Sequence, residues 1–234
     1  MSNDFSSHIQ EKPLRLIATD VYAEGRGVTL RGRVIQGFLR VGDKVAILPI
    51  GDEATVSRIE NGTATNANAS PYGFGDKPSA PSSTSALRMK TACAGDNTEI
   101  VLTGIDIARI MPGCIICHPP MEDRVPIKKK FVAQIAAMEN LNVPIIKGAQ
   151  VLFHMHSLDV PAVISKLVSV KKRDGSSSNN RPRVLTDGVN ATVEISISEK
   201  MCLEEYSKCR SLGRFVLRRG GDTIAVGVIE SMIK

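Results

Sequence analysis

The 234-residue chain carries 42% hydrophobic and 23% charged residues, with 19 glycines and 12 prolines, a composition that excludes a disordered or fibrous protein and leaves one large or two ordinary folded domains. No apolar run approaches the roughly 18 residues of a membrane span, so no membrane role is expected, and the opening residues 1–8 lack the basic and apolar stretches of a secretory signal. The formal charge of +6 is uneven: residues 1–118 hold 12 Lys/Arg against 12 Asp/Glu, and residues 119–234 hold 18 against 12. The second half is therefore the one suited to an acidic protein, a ribosome or nucleic acid. With no Trp and three Tyr, charge and not base stacking would carry any nucleic-acid contact. Five cysteines, an odd number at irregular spacing, predict reduced thiols and a cytoplasmic location.

In chain order, short stretches rich in Val, Ile, Leu and Thr and bounded by Gly, Pro, Asn or Asp predict strands near Leu14–Val21, Val28–Gln36, Lys44–Leu48, Thr55–Ile59, Thr98–Leu102 and Gly113–Cys117. In the second of these Val28, Leu30, Gly32 and Val34 alternate with Thr29, Arg31, Arg33 and Ile35, giving one apolar face and one largely polar face. Between Asn61 and Ser85 the pattern stops in favour of Gly, Thr, Ala, Asn, Ser and Pro, which cannot bury enough apolar surface to offset ordering entropy. This segment is read as a disordered insertion, 61–85, inside the first domain. His118-Pro119-Pro120-Met121-Glu122-Asp123 reads as the start of a connector over 119–125. Strand patterning resumes at Phe131–Met138, Ala149–His156, Ala162–Val170, Asn190–Ile197, Phe215–Arg219 and Thr223–Ile233, with a polar loop at Lys171–Arg183 and one helical turn at Leu203–Cys209. Six short strands per half without long helices predict an all-β fold of two β-barrels in tandem, since closure removes exposed sheet edges.

The motifs with chemical content are few. Cys114-Ile-Ile-Cys117-His118 matches the haem-attachment pattern, but on a strand residues three apart face opposite ways, so these cysteines are read as buried and inert. His154 and His156, two apart on a strand, share a face; they could form half a metal site, yet lack the third and fourth ligands, and a binding-surface role without metal stays open. Gly37 to Lys44 differs from a phosphate loop in placing Asp43 before the Lys, with no helix to follow, and reads as a hairpin turn. No catalytic or metal motif emerges. Three basic groups remain, around Lys128-Lys129-Lys130, Lys171-Lys172-Arg173 with Arg181 and Arg183, and Arg210 to Arg219. The last mixes guanidinium, aromatic and apolar side chains in Gly213-Arg214-Phe215-Val216-Leu217-Arg218-Arg219, a composition enriched at interface hot spots. On that strand Phe215 and Leu217 are the expected inward set, leaving Arg214 and Arg218 outside.

Several stretches together resemble domains II and III of the translational GTPases related to elongation factor 1-alpha. They are Lys12-Pro13-Leu14-Arg15-Leu16 with Asp20-Val21-Tyr22, Gly32-Arg33-Val34, the Gly37 to Asp43 turn, Ala94-Gly95-Asp96-Asn97, Leu212-Gly213-Arg214-Phe215 and Thr223 to Ile229. Within that family the Gly104 to Cys117, Val143 to Gly148 and Leu217 to Thr223 stretches resemble the HBS-type ribosome-rescue GTPase, the partner of Pelota. Eukaryotic release factor 3 is the next closest in kind, although it tends to carry an acidic residue where Arg219 stands. The 61–85 insertion is longer than the family pattern.

The resemblance implies two six-stranded barrels, domain II over 12–118 and domain III over 126–234, with residues 1–11 a linker remnant. It further implies that the GTP-binding domain, with its GTP and Mg, belongs to a longer parent GTPase, so that this chain is not itself an enzyme and holds no cofactor or metal. Domain III would dock a Pelota-type adaptor, with Arg214, Phe215, Arg218, Arg219, His154 and His156 as candidate contacts. Domain II would face the small ribosomal subunit and pack on the parent's own GTP-binding domain. A chain-termination release factor GTPase and a tRNA-carrying elongation factor are the alternatives, and a haem or zinc redox protein built on Cys114, Cys117, His118, His154 and His156 is a third class.

Overall fold

The computed structural model of the protein describes residues 12–24, 27–61, 88–139, 141–171, 177–178 and 182–233. The expected insertion lies outside them apart from Asn61, as do residues 1–11 and Lys172, Arg173 and Arg181 of the polar loop. The chain divides into two compact units between Arg124 and Val125. The 119–124 segment is fastened to the first unit: Pro120 caps a short 3₁₀ turn at Met121–Asp123, and Arg124 donates to the Pro119 carbonyl at 2.8 Å and pairs with Glu53 at 3.1 Å.

The first unit is built on β1 (Arg15–Glu24), β2 (Gly27–Gln36), β3 (Lys44–Leu48), β4 (Asp52–Asn61), β5 (Asn97–Thr103) and β6 (Ile115–Cys117). All pairings are antiparallel, in the circular order β3-β6-β1-β2-β5-β4, and the β3–β4 pairing closes the ring. Period-2 patterning makes the core directly. Leu16, Leu30, Val34, Val45, Ile47, Val56, Ile59, Ile100, Leu102 and Ile116 all turn inward, because alternate residues of a strand share a face. Two further strands, Phe38–Arg40 and Thr91–Cys93, form a side ribbon.

The second unit repeats the plan with β7 (Ile127–Ala137), β8 (Gln150–Met155), β9 (Leu158–Lys171), β10 (Asn190–Cys202), β11 (Arg214–Arg219) and β12 (Asp222–Met232). Its antiparallel ring runs β8-β11-β12-β7-β10-β9 and is closed by β8–β9. The core is centred on Phe131, Phe153 and Phe215, whose ring centroids lie 4.9 to 5.7 Å apart, within the range favoured by aromatic pairs. Gly227 makes room for them: a Cβ there would sit 2.5 Å from Phe215 Cζ. The fold is thus two closed six-stranded barrels, as the sequence predicts.

One local expectation holds and one element is additional. β10 extends to Cys202, and within Leu203–Cys209 the Cys209 amide donates to the Glu205 carbonyl four residues back, a single helical turn, with the Lys208 amide sharing that carbonyl. This turn is shaped by packing, since the Gly213 backbone lies against Tyr206 so closely that a Cβ at Gly213 would meet the Tyr206 Cα at 2.4 Å. Conversely, a 3₁₀ turn at Ile107–Arg109, begun by the Asp106 side chain accepting from the Ala108 amide, was not signalled by any apolar periodicity.

Candidate partner-docking surface

The second barrel brings four of the six candidate residues to one place. The inter-strand register aligns His154, Val216, Val226, Ala136 and Asn190 in a row across β8, β11, β12, β7 and β10. Arg214, Val228, Gln134 and Thr192 form the neighbouring row. Both rows lie on the outer face, because Phe215, Leu217, Ala225 and Ile135, their alternates, are buried in the core. The result is a shallow groove of about 660 Å³ with an aliphatic floor and a rim of His154, His156 and Arg214. Phe215 is a core residue, 3% exposed, and supports that floor from beneath.

Arg218 and Arg219 lie elsewhere. They border a second groove of about 580 Å³ that runs over Leu152, Pro161 and Val163. Arg218 donates to the Gly221 carbonyl at 2.9 Å and Arg219 to the Val143 carbonyl at 3.3 Å. Among the described residues neither they nor Arg214 make an ion pair with a carboxylate.

His154 Nδ1 lies 2.6 Å from Asp159 Oδ1, the residue directly opposite it on β9. His156 occupies the two-residue hairpin joining β8 to β9, with a φ of 55°, in the left-handed region that a side chain other than Gly, Asn or Asp seldom adopts. Burial lowers the His156 pKa below the ordinary value, a hydrogen bond to the Ser211 backbone opposes this, and the charges of Arg214 and His154 add to the lowering. The residue is nonetheless exposed and open to a ligand.

The cysteine motif behaves as strand geometry demands. Cys114 packs in the first barrel's core while Cys117 faces the other way, and both are buried. His118 turns instead to the ring of Phe38, 6.4 Å between centroids and edge-on, and Arg40 covers the same ring at 4.9 Å. Burial raises the Cys114 pKa, against a smaller lowering by a backbone hydrogen bond from Met111, so its thiol stays protonated and unreactive. Among the described residues no group of three or more His, Cys, Asp or Glu side chains is placed to hold a metal ion.

The site residues that sequence reasoning missed are the floor: Val216, Val226, Val228 and Ala136. Their signal was present in Thr223 to Ile229, which is apolar on both strand faces although one face of a closed barrel ordinarily meets water. Val226 is 44% exposed.

Known proteins resemble the chain across this surface. Residues 130–230 match the GTP-eEF1A C-terminal domain-like family, and protein HBS1 of Drosophila melanogaster is 33% identical over 95% of this chain and 30% of its own length. The chain is similar to elongation factor 1-alpha-like proteins over nearly its whole length. Elongation factor 1-alpha of Saccharolobus solfataricus is 29% identical over 94% of the chain and 45% of its own length, so the chain spans less than half the length of the curated relatives it matches. A crystal structure of Sup35 complexed with GDP shares the fold, with a TM-score of 0.79 and 20% identity over 97% of this chain and 49% of that one. The similarity to HBS1 and to elongation factor 1-alpha spans both barrels. Among the described residues no helix is long and apolar enough to cross a membrane.

Proposed function

We propose that these barrels belong to a cytoplasmic HBS-type GTPase that delivers a Pelota-type adaptor to stalled ribosomes, for ribosome rescue and no-go mRNA decay. In this reading the second barrel docks the adaptor. The first faces the small ribosomal subunit and packs on the parent's GTP-binding domain, where GTP and Mg reside. The observation that carries the proposal is the 33% identity to HBS1 across 95% of the chain. It is supported by the outward arginines of β11 that lack carboxylate partners among the described residues, because unpaired guanidinium groups beside an apolar floor are the composition of a protein-binding face.

A second reading is favoured by the elongation factor 1-alpha relatives, which match the same span at 27 to 31% identity: the barrels would then serve a tRNA-carrying factor. A pull-down with the purified chain against Pelota, the chain-termination release factor and aminoacyl-tRNA separates these. Selective retention of Pelota is expected. Retention of the release factor or of aminoacyl-tRNA in its place would overturn the rescue assignment. Calorimetry with GTP should show no saturable binding, because the sequence has no phosphate-gripping motif; micromolar binding would overturn the placement of GTP in another domain.

A further inference from the structure

We infer that the groove rimmed by His154, His156 and Arg214 receives a carboxylate flanked by an aliphatic side chain of a protein partner, and that binding takes up one proton at His156. The inference deepens the docking role proposed above and rests on that reading for the partner's identity, but not for the chemistry of the groove.

The groove's composition selects the ligand. Its floor is aliphatic, from Val216, Val226, Val228 and Ala136, and its rim carries one permanent cation, Arg214, with two imidazoles. Among the described residues no carboxylate lines it; Asp159 approaches from β9 and is engaged with His154 at 2.6 Å. The residues facing in from β7 and β10, Gln134, Asn190 and Thr192, are neutral. A carboxylate set beside a methyl-bearing side chain satisfies the cation and the floor together. Nucleic acid fits less well, because the lining presents aliphatic groups where bases would need an exposed aromatic face.

The conformation of His156 marks it as the responsive group. A hairpin position at φ 55° is ordinarily given to Gly or Asn, and a side chain held in that region costs free energy that the surrounding structure must offset. Here the turn presents an imidazole to the groove beside Arg214 and the Ser211 backbone. In the free protein burial and the charges of Arg214 and His154 disfavour the protonated ring. An arriving carboxylate supplies the missing counter-charge and raises its proton affinity, so by linkage the partner binds more tightly as pH falls. The proton comes from solvent and no bond to carbon changes.

The test uses the full chain and a fluorescein-labelled decapeptide of alternating glutamate and leucine, followed by anisotropy between pH 8.0 and 5.5. Controls are the same peptide with glutamine for glutamate and an oligouridylate of ten nucleotides. The acidic peptide should gain at least about threefold in affinity from pH 7.5 to 6.0, against the direction in which protonation of the peptide itself would act. His156→Asn, which suits a left-handed turn and does not titrate, should abolish that gain. Arg214→Gln should weaken binding about fivefold or more at every pH. Equal binding of the glutamine peptide, tighter binding of the oligouridylate, or a pH dependence that persists in His156→Asn but vanishes in His154→Gln would each overturn the inference. Thermal melting of each variant identifies one that has lost its fold, and for such a variant the imidazole resonance of His156 in the wild-type chain replaces it. That resonance should titrate at higher pH with acidic peptide than without, and no displacement would overturn the proposal. Failure to retain Pelota with a positive peptide result would reject the partner's identity and leave the groove chemistry standing.

Discussion

The two barrels share strand number, antiparallel closure and period-2 patterning, yet they treat their charges differently. On the first barrel four arginines are paired within the unit: Arg31 faces Glu99 at 3.6 Å, Arg58 pairs with Glu60, Arg109 with Asp52 and Arg124 with Glu53. On β11 of the second, Arg214, Arg218 and Arg219 lack a carboxylate partner among the described residues, and the strand beside them exposes Val226. The cores differ as well. The first is aliphatic, whereas the second is organised by three phenylalanines whose fit depends on Gly227. Closing a barrel requires only an inward apolar face, so the outward face is free to be self-satisfied or left open for a partner.

The largest expected effect tests the cores. Phe215→Ala should destabilise the second barrel by about 3–5 kcal/mol, the range for removing a buried aromatic ring, against about 2–5 kcal/mol for Leu30→Ala in the first, both read from denaturant midpoints. A loss below about 1 kcal/mol for Phe215→Ala would mean that the aromatic cluster does not organise its core. Gly227→Val should cost at least about 1–3 kcal/mol through overpacking against Phe215.

Charge reversal sharpens the surface contrast. Arg214→Glu combined with Arg218→Glu should weaken Pelota binding by at least about 2 kcal/mol in calorimetry, while stability moves by less than about 1 kcal/mol because both arginines are accessible. The single substitutions decide which groove matters, since Arg214 borders one and Arg218 the other. Normal binding by the double variant would move the dock away from β11. On the first barrel, Arg109→Gln should change stability by no more than about 1 kcal/mol, as for other exposed arginine pairs; a loss of several kcal/mol would show that its ion pairs are structural.

The smallest effect concerns pH. The folded-state pKa of His156 is lowered, by burial first, so the unfolded chain binds more protons near the ordinary histidine value. Stability is therefore retained above that value and declines as pH falls through it. His156→Asn should flatten this slope between pH 7 and 5 in thermal melts, and an unchanged slope would assign the acid sensitivity to other groups.

Most of the architecture was legible in the sequence because strand periodicity is a local property. Lys44–Leu48 is found with the bounds its pattern predicts, and the other eleven expected barrel strands are found with ends shifted by a few residues where pairing extends or trims them. The inward placement of Phe215 and Leu217, and the opposite facing of Cys114 and Cys117, likewise follow from alternation alone. The 3₁₀ turn at Ile107–Arg109 had no such signal, because it is begun by the Asp106 side chain rather than by apolar alternation. The same limit separates Arg214 from Arg218: four residues apart on one strand, they share a face, and only cross-strand register puts His154 beside Val216 and Leu152 beside Arg218. Alternation determines which way a side chain points, but its neighbours come from strands distant in sequence. The sequence thus determined two barrels and an outward basic strand, while barrel closure decided that Arg214, His154 and His156 would rim one groove over Val226 and Val228.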